Sequence, residues 1–178
     1  WEPQGEMPPR PQRPVLPHAE DPTEHPRPIG GAVQAAFYVP GTIHARAARN
    51  CRFVNCDFEG PSFYGILLED GCRDNLIQHC RFNNMGAGAV YLDGSPELDD
   101  AEAHNRGTTI ADCDIRNGGH VFFQACGILA THVAWTRILH NRVHDLTYTG
   151  ISLGWQWTYD RGVNRDNLII GNHVSDIG

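Results

Sequence analysis

The chain has no lysine; all 14 of its basic side chains are arginine, set against 21 aspartates and glutamates, for a formal net charge of -7. That balance argues against a protein whose main partner is a phosphate backbone, so no nucleic acid is expected. No apolar run approaches the roughly 20 residues that a membrane span needs, so no membrane span is expected either. The six cysteines form no CxxC pair, which removes support for a zinc knuckle. Their even number invites a disulfide framework, but they fall well short of the roughly 8–10% typical of disulfide scaffolds. Structural, unpaired cysteines are expected. P-loop, GxSxG, HExxH and EF-hand patterns are absent, and neither a cofactor nor a metal is expected. No amphipathic stretch of helical period runs through the chain, which excludes helical repeats. The first residue is Trp1, no signal peptide is visible, and a patterned segment runs up to Gly178. These features lead us to expect a piece of a longer protein, and the missing signal then says little about compartment.

Ten of the twelve prolines lie in the first 40 residues. Each fixes φ and removes a backbone donor, so residues 1–30 read as a Pro-rich extended arm or linker. Residues 31–178 read as the folded domain, and 40% hydrophobic residues suffice for a sizeable core.

Internal repetition carries the fold. Phe53-x-x-Cys56-x-Phe58 returns as Ile77-x-x-Cys80-x-Phe82, Ile110-x-x-Cys113-x-Ile115, Ile138-x-x-Asn141-x-Val143 and Ile169-x-x-Asn172-x-Val174. Between these lie strands that open on glycine, at Gly65, Gly88, Gly127 and Gly150. The apolar runs are three to five residues long and bounded by turn residues, which suits short strands. The residue before each Cys or Asn is Asn55, His79, Asp112, His140 or Gly171. These types are enriched at positive φ, so each repeat reads as strand, tight bend, strand. The following Cys/Asn column then stacks coil upon coil. The result is an all-β parallel β-solenoid of about five coils.

Strand alternation turns Ile66, Val90, Ile128 and Ile151 inward, with Leu68, Leu92, Ala130 and Leu153. Glu69 and Asp93 are then expected on adjacent coils of one exposed strand face. Two carboxyls flanking a bond serve as acid and nucleophile or base, at about 5–5.5 Å for retention and 6.5–9.5 Å for inversion. A solvated pair at a strand end is the plainer role. Asp145 and Asp176 share a column with Gly60, Asn84 and Asn117, a turn composition. A contact between His144 and Asp145 is disfavoured, because neighbouring strand residues face opposite ways. Trp155, Trp157 and Tyr159 cluster after the fourth Gly-opened strand and suit stacking on sugar rings. Tyr148 could line the same groove. His120 and His132 are loop imidazoles that could assist as acid or base, or stand by.

The repeat resembles that of right-handed parallel β-helix pectinases, lyases and other carbohydrate-active enzymes. From Arg49 onward, and most clearly in His140–Trp157 and Asn167–Gly178, the chain is similar to secreted bacterial proteins related to glycoside hydrolase family 141. That resemblance implies a secreted or periplasmic protein with a polysaccharide or oligosaccharide partner. It also implies hydrolase ancestry, with fucosidase and xylanase activities in the family and its acids expected on later coils. Three functions stay open: a glycoside hydrolase cleaving plant or host polysaccharide, a non-catalytic carbohydrate-binding solenoid, and a polysaccharide lyase using Arg73 or Arg137.

Overall fold

A computed structural model describes residues 34–155, 159 and 161–178. The Pro-rich arm and Trp157 lie outside the described residues. Every coil contributes three principal strands, and two coils add a fourth, two-residue strand. The first coil carries β1 (Gly41–Ala45), β2 (Arg52–Val54) and β3 (Asp57–Glu59). The second carries β4 (Tyr64–Leu68), β5 (Leu76–Gln78) and β6 (Arg81–Asn83). The third has β7 (Val90–Asp93), a short β8 (Asn105–Arg106), β9 (Thr109–Ala111) and β10 (Asp114–Gly118). The fourth has β11 (Ile128–Thr131), a short β12 (Val133–Ala134), β13 (Arg137–Leu139) and β14 (Arg142–Leu146). The fifth ends the series with β15 (Ile151–Gly154), β16 (Leu168–Ile170) and β17 (His173–Ile177). Stacking produces three five-stranded sheets, β1-β4-β7-β11-β15, β2-β5-β9-β13-β16 and β3-β6-β10-β14-β17, and every pairing is parallel.

The expected inward residues form the core. Ile66, Leu68, Val90, Leu92, Ile128 and Ala130 are buried in one apolar cluster with Ile77, Phe82, Ile110, Ile115, Ile138 and Val143. The glycine that opens a strand is required by the opposite sheet. A Cβ at Gly65 would stand 2.8 Å from the Phe82 ring, and one at Gly127 would stand 2.7 Å from Leu146 Cδ1.

The bends follow the sequence reading in all five coils. Asn55, His79, Asp112, His140 and Gly171 have φ of 56°, 53°, 54°, 53° and 67°. The column of Gly60, Asn84, Asn117, Asp145 and Asp176 is left-handed as well, at 50–66°. This second bend corrects one expectation. Because Asp145 is left-handed, alternation fails there, and His144 Nδ1 lies 2.6 Å from Asp145 Oδ2.

Asparagine ladders hold the bends together. The Asn141 amide oxygen accepts from Cys113 N at 3.0 Å, and its Nδ2 donates to Ile110 O at 3.0 Å. Asn172 repeats the pattern one coil on, toward Asn141 N and Ile138 O. Asn75, Asn105 and Asn167 do the same at two other corners, while Asn164 accepts from Val133 N of the coil before and donates to Gly154 O of its own coil. All six cysteines are unpaired. Burial pushes the thiol of Cys72 up to about 11, and those of Cys113 and Cys126 up to about 12.

Candidate functional site

The Gly-opened sheet has a covered outer face. Leu67, Tyr91 and Leu129 point away from the core yet are buried, under Ala35, Ala36 and Val39 from one side and Ala125 and Cys126 from the other. An apolar outward column asks for such a cover, because leaving it in water would forfeit its burial energy. The Tyr64 hydroxyl fixes the cover by donating to Ala35 O at 3.0 Å.

Glu69 and Asp93 stand at the far end of this sheet. Leu68 pairs with Leu92, and each acid is the next residue in its chain. Asp93 in turn pairs with Thr131, whose hydroxyl donates to Asp93 Oδ1 at 2.9 Å. The expectation of an exposed acid pair is corrected here. Asp93 keeps only 3% of its surface, and the Glu69 side chain 16%. Alternation fixes the direction of a side chain but not what lies above it.

Glu69 faces an imidazole and a guanidinium from the coil before it. His44 Nε2 lies 2.8 Å from Glu69 Oε2, and Arg46 Nε lies 3.9 Å from the same oxygen. Arg46 also pairs with Asp70 at 3.3 Å. Sequence reasoning missed His44, Arg46 and Asp70. Their signal was the segment Gly41-Thr42-Ile43-His44-Ala45-Arg46, whose opening has the form of Gly88-Ala89-Val90 and whose Ile43 pairs with Ile66. His44 is 46% exposed, so the His44–Glu69 dyad opens to solvent. A carboxylate beside an accessible imidazole can exchange a proton with a bound hydroxyl group.

Two long loops leave this same corner, one after Asp93 and one after Gly154. Arginines clip the first loop to the coils. Arg49 donates to Glu102 Oε2 at 2.7 Å, Arg73 donates to Oε1 at 3.1 Å, and Arg73 Nη2 reaches Ala101 O at 2.6 Å. The two guanidinium hydrogen bonds hold the Glu102 carboxyl below the usual carboxylate range.

Other expected residues divide between the two ends of the sheet. His132 (φ 53°) and Trp155 (φ 74°) each follow the end of a Gly-opened strand, on the acid side. Trp155 packs on Phe37 of the cover, with ring centroids 5.0 Å apart. His120 and Tyr148 precede such strands, at the opposite end. His120 is exposed, and Tyr148 is half-buried against the cover, its hydroxyl 3.5 Å from Gln34 Nε2. Tyr159 is fully exposed. Along one edge of the sheet successive coils carry Glu69, Asp93, His132 and Trp155 in turn, whereas Trp155 and Tyr148 both pack against the cover and His120 stands apart at the opposite end. Among the described residues, no group of three or more His, Cys, Asp or Glu is arranged to hold a metal. No helix among them is long and apolar enough to cross a membrane.

Stacked three-sheet coils with in-register polar columns define a parallel β-solenoid. The chain belongs to the right-handed β-helix family, whose model, described as "Right handed beta helix region", matches residues 41–178. A solved structure named "Glycoside hydrolase" is similar over 78% of this chain, with a TM-score of 0.66 and 21% sequence identity. At that identity the likeness is one of fold, and the chain spans 27% of that hydrolase's length. No curated protein matches the chain.

Proposed function

We propose that this chain is part of a glycoside hydrolase that cleaves plant or host polysaccharide, with Glu69 and Asp93 as its two carboxylates. The observation that carries the reading is the corner itself: an accessible His44–Glu69 dyad one coil from Asp93, beside two long loops. Neighbouring parallel strands are about 4.8 Å apart, close to the separation that retaining enzymes use. In that chemistry Asp93 attacks the anomeric carbon while Glu69 protonates the departing oxygen, leaving a glycosyl ester. Glu69 then takes a proton from water, the water oxygen bonds to the same carbon, and the Asp93 ester bond breaks. His44 and Arg46 hold Glu69 in place between the two steps. The active form must admit the sugar to Asp93, which is covered here. Export from the cytoplasm belongs to the same proposal and rests on the resemblance to secreted proteins.

A second reading is favoured by the burial of Asp93 and its bond from Thr131, which suit a structural strut. The solenoid would then bind carbohydrate without cleaving it. Glu69→Gln separates the two. Under the hydrolase reading, removing this acid–base group lowers turnover by about 10²–10⁴-fold. Under the binding reading there is no turnover to lose, and glycan affinity persists.

A further inference from the structure

One bend of the solenoid carries a residue of the wrong type. At the corner after the short third-coil and fourth-coil strands, a left-handed column runs Asn50 (φ 56°), Asp74 (54°), Gly107 (71°), Trp135 (51°) and Asp166 (55°). Four coils use residues that tolerate this conformation. The fourth uses tryptophan, for which it is sterically unfavourable. Strain of this kind persists where the surroundings impose it, and it gathers at ligand sites. Burial does not explain it, because Trp135 remains 41% exposed.

The column one residue earlier is basic. It runs Arg49, Arg73, Arg106, Ala134, Arg165. With coils about 4.8 Å apart, Arg106 and Arg165 are roughly 10 Å apart across the small Ala134. The same column already holds a carboxylate, since Glu102 lies across Arg49 and Arg73 at 2.7 and 3.1 Å. Arg106 and Arg165 make no ion pair among the described residues. The Arg165 guanidinium lies 4.5 Å from the Trp135 ring centroid. A guanidinium that stacks through its face keeps its N–H edge for oxygen ligands. Although the chain is acidic overall, screening over about 8 Å at physiological salt lets this local cluster set the potential it presents.

We propose that Arg106, Arg165 and Trp135 form a subsite for an acidic glycan. The two arginines take the carboxylate or sulfate group, and the exposed indole packs against the apolar face of the sugar ring. This assignment concerns binding alone, so it stands or falls apart from catalysis at Glu69.

The test is calorimetric titration of the full chain with three probes: an oligogalacturonate, a sulfated oligosaccharide and an uncharged xylo-oligosaccharide. The charged probes are expected to bind about tenfold or more tightly than the neutral one, as hydrogen bonds to charged groups warrant, and to weaken as salt rises. Preference for one charged probe over the other identifies the anion as carboxylate or sulfate. The double variant Arg106→Gln/Arg165→Gln should lose that preference. Trp135→Asn is the decisive variant, because asparagine suits the left-handed bend. It should fold with an unchanged or higher melting temperature and still bind the charged probe about tenfold more weakly, as expected for a lost aromatic anchor. Equal binding of charged and neutral probes, or no binding of either charged probe, overturns the proposal. So does Trp135→Asn with unchanged affinity, or with a lowered melting temperature, which would make the indole a packing residue.

Discussion

Replacing Asn141 with alanine should strike the solenoid at one of its most buried polar links. The amide is buried and joins three coils. Its removal leaves Cys113 N–H and Ile110 C=O facing each other across an apolar gap. Each buried, unsatisfied backbone group costs about 1–3 kcal/mol, so the pair amounts to about 2–6 kcal/mol. For a chain of this size 1 kcal/mol lowers the melting temperature by roughly 2–4 °C, so the mid-range loss is on the order of 8–16 °C. Asn172→Ala supplies the contrast. It removes the same kind of bonds on the fifth coil, where Ile169 and Val174 are exposed and water can reach the orphaned groups. Its loss should be no more than about half as large. Asn141→Cys, which restores the residue type of the first three coils, should fall between alanine and the parent. Urea unfolding followed by far-ultraviolet circular dichroism reads all three. A loss below about 1 kcal/mol for Asn141→Ala would refute the claim that the amide ladder carries the bends.

Gly127→Ala places a methyl group 2.7 Å from Leu146 Cδ1 and from Gly150 O, and overpacking of this kind costs about 1–3 kcal/mol in the same unfolding assay. A thiol titration at pH 8 should modify exposed Cys51 first, while Cys72, Cys113 and Cys126, pushed up to about 11–12 by burial, react only on unfolding. The Glu102 carboxyl is lowered by Arg49 and Arg73, so the clip on the loop after Asp93 is at full strength above the ordinary glutamate value of about 4.3. It weakens as pH falls through the lowered value. Cleavage of that loop by an acid-tolerant protease should therefore increase below about pH 4, and Glu102→Gln should make cleavage insensitive to pH there.

The repeat was legible because its physics is local. A left-handed bend asks for Asn, Asp, His or Gly, and the five residues from Asn55 to Gly171 all meet that demand. Strand alternation likewise identified the inward residues from Ile66 to Leu153. The first strand of the first coil escaped because Gly41–Ala45 precedes the Cys/Asn motif of its coil and stands next to the proline-rich arm. The ladders at Asn75, Asn105, Asn164 and Asn167 escaped because the spacing between them varies with loop length. What alternation could not reveal was the cover. Leu67, Tyr91 and Leu129 did announce an outer face too apolar for water, but the segment that buries it comes from residues 34–39, far away in sequence. The same limitation turned an expected exposed acid pair into one buried and one half-hidden carboxylate. It also hid His44, the imidazole that faces Glu69 across a coil step.

The central proposal concerns Glu69, and the direct measurement is release of reducing ends from pectic, xylan and fucosylated polysaccharides by the full chain and by Glu69→Gln. The account predicts cleavage of at least one substrate by the parent, with a loss of about 10²–10⁴-fold in the variant and intact folding by circular dichroism. Equal cleavage by parent and variant, or glycan binding by the parent with no cleavage at all, would contradict it.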